Sequence, residues 1–324
     1  MTETGTGDKI AVQVDGRSLT LTNLAKVLYP ADGFTKAEVL DYYQRISPVL
    51  LPHVAGRPMT LRRYPHGVGD LSFFAKHAPA RRPDWLSTRE VASHSSRARS
   101  PGEPVRYLVI DGLPALIWAV NLAALELHVP MWRFPAAAGG AAAGGAADGE
   151  PEAAPEAGND PDLLVFDLDP GPPATIVECC RVAEALRPVL EADGLRPLPK
   201  TSGGKGLQLY APLSGRTAEQ ASDLALGFAQ RLERELPRLV VSRMVKSARS
   251  GKVLIDWSQN NGSKTTIAPY SLRARERPTV STPVTWDEVA ACRRPEDLTF
   301  TAPDVLARVA ADGDLFAPLL PPTG

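Results

Sequence analysis

One internal stretch of the chain, residues 135–160, has nothing to bury in a core. Its sequence, PAAAGGAAAGGAADGEPEAAPEAGND, contains no aromatic and no branched aliphatic residue. Paired glycines and prolines interrupt every alanine run that is long enough to nucleate a helix. Such a segment cannot bury enough apolar surface to offset the conformational entropy lost on folding. The stretch therefore predicts a disordered linker between a lobe at 1–134 and a lobe at 161–324.

The first lobe is predicted to mix strands and helices. KIAVQVDGRSLTLTNL alternates apolar and polar residues around a DGR turn, which predicts a hairpin. In TKAEVLDYYQRISPVLLPHV, Thr35 is a candidate N-cap with Glu38 as its capping-box partner. The apolar residues of this segment recur at helical spacing, so a helix is predicted to begin there.

The second lobe predicts a regular order of elements. DLLVFDLDPG, PLPKTSGGKGLQLYAPL and KVLIDWSQ contain short apolar runs bounded by turn residues, which are typical of buried strands. TIVECCRVAEALRPVLEADG and AEQASDLALGFAQRLERELP have helical spacing. The resulting order β, α, β, β, α, β indicates an α+β fold in which helices cover one face of a sheet.

The charge of the chain is unevenly distributed. The total of 36 Lys+Arg against 37 Asp+Glu argues at first against a nucleic-acid partner, which needs clustered positive charge. However, residues 135–160 carry five acids and no base, whereas residues 1–134 carry 16 Lys+Arg against 12 Asp+Glu. A mildly basic first lobe is compatible with DNA, and binding should then weaken as salt rises.

The cysteines and the hydropathy pattern indicate a cellular compartment. The three cysteines, Cys179, Cys180 and Cys292, give neither a disulfide framework nor a zinc-binding spacing. The N-terminus lacks a signal-peptide pattern, and no run of 18 uncharged apolar residues occurs. We therefore expect a cytoplasmic protein without a membrane segment.

Paired acids mark the first strand of the second lobe. Asp167 and Asp169 stand at positions i and i+2 of the predicted strand, so both carboxylates point to one face. Such a pair repels itself unless a cation lies between, and Mg²⁺ or Mn²⁺ takes oxygen ligands of this kind. The alternative is an ordinary Asp-Pro-Gly turn, which is weakened here because Asp167 lies inside the apolar run.

A third acid ends another predicted strand. Asp256 follows VLI and would complete a carboxylate triad if its strand neighbours the first one. Two ions about 3.5 to 4 Å apart can bring a 3′-hydroxyl and an α-phosphate together. Taken alone, an acid such as Asp256 is more often a turn residue at a strand end.

Two loops are candidates for binding phosphate. SGGKG, residues 202–206, has successive glycines that let backbone N–H groups converge on an anion, with Lys205 adding charge. It lacks the Walker A spacing, and a glycine-rich hairpin turn would look the same. Gln259, Lys264 and Arg273 follow Asp256 closely enough to line the same cleft, although a solvated basic loop is an equal alternative.

The first lobe contains an aromatic and basic patch. Phe73, Phe74 and Lys76 lie downstream of Arg62 and Arg63. Such residues can stack a base and grip a backbone phosphate, but adjacent phenylalanines are more often core. His128 in ELHVP is likewise more often a satisfied, partly buried histidine than a ligand.

Taken together, the motifs resemble the polymerase domain of bacterial ATP-dependent DNA ligase D, in the archaeo-eukaryotic primase superfamily. The similarity spans nearly the whole chain and rests on LTNLAKVLYP, FTKAEVLDYY, SFFAKH, ELH, DLDPG, TSGGKGL, IDWSQNNGSKTTIAPYSLRAR and TVSTPVTWDEV. The resemblance implies a primase-polymerase fold, with an N-terminal mixed α/β lobe that binds DNA ends. It also implies an RRM-like catalytic lobe with the carboxylates on its sheet.

The resemblance assigns roles to individual residues. It implies that Asp167, Asp169 and Asp256 bind catalytic Mn²⁺ or Mg²⁺. The nucleoside triphosphate would be bound by Ser202, Lys205, Gln208, Gln259 and Arg273, with His128 near its sugar. The DNA would be bound by Lys26, Lys36, Arg62, Phe73, Phe74 and Lys76, with Arg62 in place of the lysine that recognises a 5′-phosphate.

The sequence departs from the family pattern at Gln208, where the superfamily motif SGGKGLH has histidine. Glutamine cannot carry a positive charge, so weaker triphosphate binding or slower turnover is expected. The first hypothesis is a template-dependent polymerase that adds ribonucleotides or deoxyribonucleotides to DNA ends with a 5′-phosphate in end-joining repair. It would work near the nucleoid with Ku and a separate ATP-dependent ligase as partners.

Two alternatives remain. One is a DNA-end-binding scaffold of the same fold whose catalysis is weakened. The other is a phosphatase of the haloacid dehalogenase type, but the Thr or Val expected soon after the second Asp and the downstream acidic pair are not evident.

Overall fold

The computed structural model describes residues 9–92, 104–135 and 160–321. Apart from its two end residues, the linker predicted at 135–160 lies outside the described residues. Within the described ranges the α-helices are α1 (Lys36–Val54), α2 (Leu113–Asn121), α3 (Ile176–Ala192), α4 (Ala218–Glu235), α5 (Trp286–Ala291) and α6 (Ala302–Asp312). Short 3₁₀ turns cover Lys246–Ala248, Trp257–Asn260, Pro295–Leu298 and Ala317–Leu319.

The strands of the described residues fall into two larger sheets and several two-stranded pairs. In the first part of the chain they are β1 (Lys9–Val14), β2 (Arg17–Thr22), β3 (Val27–Tyr29), β4 (Phe34–Thr35), β5 (Thr60–Arg63), β6 (Phe73–Ala75), β7 (Thr88–Val91), β8 (Val105–Leu108) and β9 (Ala124–Val129). In the second part they are β10 (Leu163–Pro170), β11 (Leu198–Thr201), β12 (Leu207–Pro212), β13 (Val240–Val241), β14 (Val253–Asp256), β15 (Thr266–Ile267), β16 (Leu272–Ala274) and β17 (Pro278–Val280).

The second part of the chain is built on a five-stranded sheet with the order β11-β12-β10-β14-β13. The predicted order β, α, β, β, α, β is confirmed, with the short β13 added before β14. Leu164, Phe166 and Leu168 of β10 pack with α3 and α4 in one core. Because side chains alternate along a strand, Val165 and Asp167 point to the opposite face. The helices therefore cover one face and leave the carboxylates on the other.

The first part of the chain is built on a four-stranded sheet with the order β15-β9-β5-β6. The predicted hairpin is confirmed as β1 and β2 in antiparallel register, and Thr35 and Glu38 form the predicted capping box of α1. Strand β15 comes from the second part of the chain, and Tyr270, Val280 and Val305 pack in the core of the first. The division into lobes at 1–134 and 161–324 thus remains a prediction. Residues from the second part of the chain pack in the core of the first part.

A hydrogen-bonded pair of His53 and Asp314 anchors the C-terminal region on α1. Asp314 Oδ2 lies 2.8 Å from Nε2 of His53, and Asp314 Oδ1 accepts a 2.6 Å hydrogen bond from the Tyr270 hydroxyl. Burial alone would raise the pKa of Asp314, but the contacts with His53 and Tyr270 outweigh burial and lower this pKa from its usual 3.8. The carboxylate therefore stabilises the fold when it is ionised.

Replacing this carboxylate should change both stability and its dependence on pH. Because the folded pKa of Asp314 is depressed, its contribution is present above about pH 4 and is lost as pH falls through the folded pKa. We expect Asp314→Asn to lower the free energy of unfolding at pH 7 by about 2 kcal/mol, with the deficit shrinking below pH 4. Urea unfolding at several pH values measures both, with the exposed Asp312→Asn as control. A deficit that stayed constant down to pH 2 would contradict this account.

None of the helices in the described part of the chain combines the length and the apolar character that crossing a membrane requires.

Candidate active site

The acids predicted from the two strand ends lie side by side on one sheet. Strands β10 and β14 are antiparallel neighbours, and Asp167 is directly opposite Asp256 in their register. On the other side of β10, Asp167 is opposite Gln208 of β12, which is opposite Lys200 of β11. Directly opposed residues of neighbouring strands share a face. Lys200, Gln208, Asp167 and Asp256 therefore form one row across four strands, and the predicted adjacency of the acids is confirmed.

Two of the three carboxylates, those of Asp167 and Asp256, accept hydrogen bonds from neighbouring side chains. Asp167 Oδ1 accepts a 3.0 Å bond from Gln208 Nε2. Asp256 Oδ1 accepts bonds from the backbone N–H and hydroxyl of Ser258, so Asp256 also caps the following 3₁₀ turn, as its turn interpretation suggested. Gln259, predicted to bind nucleotide, donates through Nε2 to Asp256 Oδ2 at 3.0 Å. Gln208 and Gln259 each bond one carboxylate of the group.

The carboxylates repel one another. Burial, followed by the charges of Asp169 and Asp256, raises the pKa of Asp167. Removal from bulk water and the charge of Asp256 likewise raise the pKa of Asp169. Like charges held close together on a sheet favour protonation or a bound cation.

The acids do not form a complete metal cage. Among the described residues, no group of three or more His, Cys, Asp or Glu side chains is arranged to hold an ion by itself. The donors nevertheless fit the chemistry, because Mg²⁺ is commonly held by one or two carboxylates, with water and substrate phosphates supplying the other ligands. Asp167, Asp169 and Asp256 therefore fit a site that phosphate completes, and metal binding stays a prediction.

The glycine-rich loop 202–206 joins β11 to β12 and lies against the carboxylates. A side chain at Gly206 would strike the carbonyl oxygen of Leu168, between the two acids of β10. At Gly203, where φ is +67°, a Cβ would lie 2.5 Å from Cγ of Arg273. The hairpin interpretation is confirmed, and phosphate binding by this loop stays a prediction. The N–H groups of Gly204 and Gly206 donate to Oγ of Ser202, while Lys205 is exposed.

A buried carboxylate that the sequence reasoning missed lies beside this loop. Glu126 of β9 is only 1% exposed, and its Oε2 lies 3.0 Å from His128 Nε2 and 3.3 Å from Arg273 Nη1. The same oxygen is 3.5 Å from Arg62 Nη1. Glu126 thus joins two predicted nucleotide-binding residues to a predicted DNA-binding residue. The motif ELH held the signal, since Glu126 and His128 are two apart on a strand.

The ionisation of this cluster follows from its contacts. Burial alone would raise the pKa of Glu126, but the hydrogen bond with His128 and the charge of Arg273 outweigh burial and lower it to about 2. Burial lowers the pKa of His128 more than Glu126 raises it. His128 is therefore a buried, hydrogen-bonded histidine, as its residue type suggested. It shares the Glu126 oxygen with Arg273, which is predicted to bind nucleotide.

The aromatic residues of β6 form a surface patch. Phe73 is 46% exposed and Phe74 is 56% exposed, so the interpretation of these residues as core is wrong. The guanidinium of Arg62 lies 5.2 Å from the centre of the Phe74 ring, and this ring meets His128 edge-on at 5.4 Å. Lys76 is exposed just beyond the strand. The patch therefore borders the Glu126 cluster directly.

Two predicted DNA-binding lysines lie together near the start of α1. Lys36 is buried, and its Nζ donates to the carbonyl and hydroxyl oxygens of Thr22. Burial and the charge of Lys26 lower the pKa of Lys36 to about 8. Within the described residues, neither lysine side chain forms a hydrogen bond or an ion pair with the Glu126 cluster or with the three carboxylates.

The geometry is accompanied by a family match. A model described as LigD, primase-polymerase domain, matches residues 35–316, which is most of the chain. The chain belongs to the LigD primase-polymerase family. The predicted family resemblance is thereby confirmed.

Similar members of the LigD family include much longer proteins. The multifunctional non-homologous end joining protein LigD of Mycobacterium bovis is 46% identical over 298 residues, which are 92% of this chain and 36% of that protein. The bifunctional non-homologous end joining protein LigD of Bacillus subtilis is 30% identical over 91% of this chain and 43% of that protein. The chain thus spans less than half the length of these relatives.

A solved structure extends the LigD comparison to the fold. The polymerase domain from Mycobacterium tuberculosis ligase D, in complex with DNA, matches with a TM-score of 0.81 and 45% sequence identity. The match covers 93% of this chain and 97% of the other. The predicted α+β primase-polymerase fold is therefore confirmed.

Proposed function

We propose that this protein is a nucleotidyltransferase that adds nucleotides to the 3′-hydroxyl of DNA ends in non-homologous end joining. The observation that carries the proposal is the group of Asp167, Asp169 and Asp256 on neighbouring strands beside the glycine-rich loop. The names of the LigD relatives and the DNA in the solved relative support the same activity. The proposal includes template dependence, a preference for ribonucleotides, and cooperation with Ku and a separate ATP-dependent ligase.

The residues divide the work of nucleotide transfer. Two Mn²⁺ or Mg²⁺ ions held by Asp167, Asp169 and Asp256 would activate the 3′-hydroxyl and neutralise charge on the phosphates. Arg273 passes the glycine-rich loop at its Cγ, and its guanidinium, bonded to Glu126, is assigned to a phosphate of the nucleotide. Lys205 adds an exposed charge at the tip of that loop. His128, which Glu126 orients, is assigned to the sugar of the incoming nucleotide.

A primer-extension assay tests this function. We expect wild-type protein to extend a gapped duplex with a 5′-phosphate when Mn²⁺ and nucleoside triphosphates are present, with a greater rate for ribonucleotides than for deoxyribonucleotides. Omitting the template strand should remove sequence-directed incorporation. Binding to the same duplex with no extension under any of these conditions would instead support the scaffold alternative, in which the fold binds DNA ends without catalysis.

Arg62 is expected to sense the 5′-phosphate. Its guanidinium is one-third exposed above the Phe74 ring, so one side is open to a ligand, and Arg makes bidentate contacts with phosphate. We expect Arg62→Ala to reduce the preference for a 5′-phosphorylated gap by about tenfold, because a charge-assisted contact is lost. Extension rates on phosphorylated and dephosphorylated gaps give this preference. Arg62→Lys should keep part of it, and Arg45→Ala, on the exposed face of α1, should keep all of it. An unchanged preference in Arg62→Ala would remove Arg62 from the end-recognition site.

A further inference from the structure

A completely buried lysine lies in the same row across the sheet as Asp167 and Asp256, with Gln208 between it and Asp167. Lys200 of β11 is 0% exposed, although burying an ammonium group is costly unless it is well bonded. It stands in register with Gln208, which stands in register with Asp167. Sequence reasoning assigned no role to Lys200, and the proposed chemistry does not use it.

The ammonium group of Lys200 donates hydrogen bonds to two side chains, one of which is its neighbour Gln208 in the row. Its Nζ donates to Gln208 Oε1 at 2.5 Å and to Ser281 Oγ at 2.6 Å. The Ser281 hydroxyl donates its own proton to the carbonyl of Thr201, so its oxygen is free to accept from Lys200. The Tyr210 ring lies 5.2 Å from the ammonium group, which restricts it further.

The donors at its oxygen decide which end of the Gln208 amide faces Asp167. Lys200 Nζ is the nearer donor at 2.5 Å, and the Tyr210 hydroxyl lies at 3.3 Å from the same oxygen. An amide has one acceptor end and one donor end, and a flipped amide would set its NH₂ group against the donors of Lys200. With the oxygen held by Lys200, Nε2 must face the carboxylate, and it donates to Asp167 Oδ1 at 3.0 Å. Oδ1 is thereby fixed, and the direction of the other carboxylate oxygen is fixed with it.

We propose that Lys200 is a positioning residue that acts through Gln208 to orient the Asp167 carboxylate for cation binding. This inference rests on the proposed function. It gives Gln208 a role different from the one expected from sequence, because both ends of its amide are used inside the protein. A chain with glutamine at this position then depends on the lysine beside it, so Lys200 and Gln208 act as one unit.

A double-mutant cycle tests this unit. The variants are Lys200→Met, Gln208→Met and the double variant, each of which keeps an unbranched side chain in the buried space. Titration calorimetry with Mn²⁺ alone measures cation affinity without any reaction, and primer extension measures incorporation. We expect Lys200→Met to raise the Mn²⁺ dissociation constant and lower incorporation by about tenfold, as for loss of one charge-assisted bond. In the Gln208→Met background, Lys200→Met should change either value by less than about twofold, since coupled residues are not additive.

Several outcomes would overturn the inference while leaving the proposed function intact. One is wild-type Mn²⁺ affinity in Lys200→Met, and another is equal effects of Lys200→Met in both backgrounds, which would indicate a merely structural lysine. If Lys200→Met does not fold by circular dichroism, Gln208→Met decides alone, because unchanged Mn²⁺ affinity in that variant removes the link to Asp167. A wild-type protein with neither Mn²⁺ binding nor incorporation would instead refute the proposed function itself.

Discussion

Asp167→Asn is expected to abolish nucleotide incorporation while leaving the protein folded. Asp167 is one of the two acids in the row, opposite Asp256 and hydrogen-bonded to Gln208. In the proposed mechanism, removing its charge would remove a cation ligand, and with it a stabilisation of several kcal/mol at the reacting phosphate. We therefore expect the rate of incorporation to fall at least about a thousandfold, which corresponds to about 4 kcal/mol.

The same substitution should not reduce stability, which separates loss of chemistry from loss of fold. Burial and the neighbouring acids raise the pKa of Asp167, so the ionised carboxylate is repelled in the folded protein without a cation. Asparagine keeps the shape and an acceptor for Gln208 while it removes this repulsion. We expect the Tm in the absence of metal to stay equal or rise. Asp223→Asn, on the exposed face of α4, is the matched control and should change neither quantity. Near wild-type incorporation by Asp167→Asn would exclude the carboxylate group as the catalytic centre.

Glu126→Gln is expected to weaken both the nucleotide site and the DNA-end site at once. One carboxylate holds His128, Arg273 and Arg62, and glutamine cannot accept from all of these donors with a full charge. We expect the KM for the nucleoside triphosphate to rise about tenfold, and the preference for a 5′-phosphorylated end to fall as well. Steady-state extension with varied triphosphate and both kinds of end measures the two effects.

The stability of the protein should change with Glu126 in a pH-dependent way. The pKa of Glu126 is about 2 in the folded protein against an ordinary value of 4.5, so its stabilisation is present above pH 4.5 and is lost as pH falls toward 2. Glu126→Gln should lower the free energy of unfolding at pH 7 by about 2 kcal/mol, and this difference should shrink in acid. Glu90→Gln, which breaks the exposed pair with Arg106, should change it by less than about 1 kcal/mol. In the kinetic measurements, a change in only the triphosphate KM or only the preference for a 5′-phosphorylated end would contradict the role of Glu126 as the shared anchor of the two sites.

The sequence identified elements whose signals are local. The hairpin around Asp15 and Gly16, the capping box of Thr35 and Glu38, and the placement of Asp167 and Asp169 on one strand face depend on residues at most a few positions apart. Backbone geometry fixes such relations, because the helical and strand periods set which side chains share a face. The family resemblance extended these local signals to the fold.

The structure changed the interpretation of residues whose partners are far away in sequence. Phe73 and Phe74 have the composition of a core pair but lie on the surface, on β6 at the edge of the four-stranded sheet. Gln208 is predicted to contact the triphosphate, and the structure adds hydrogen bonds that join its amide to Lys200 and Asp167. The position of β6 at the sheet edge accounts for the two phenylalanines, and strand register sets the partners of Gln208.

The sequence by itself determined the fold class and the residue types of the candidate site, including its three acids. It also predicted a division into two lobes. Only the tertiary structure decided that Glu126 contacts Arg273 and Arg62, and that segment 266–280 returns to the core of the first part of the chain. The reason is physical. A local pattern specifies which way a side chain points, but contact between residues that are far apart in sequence depends on which strands pair and in what register.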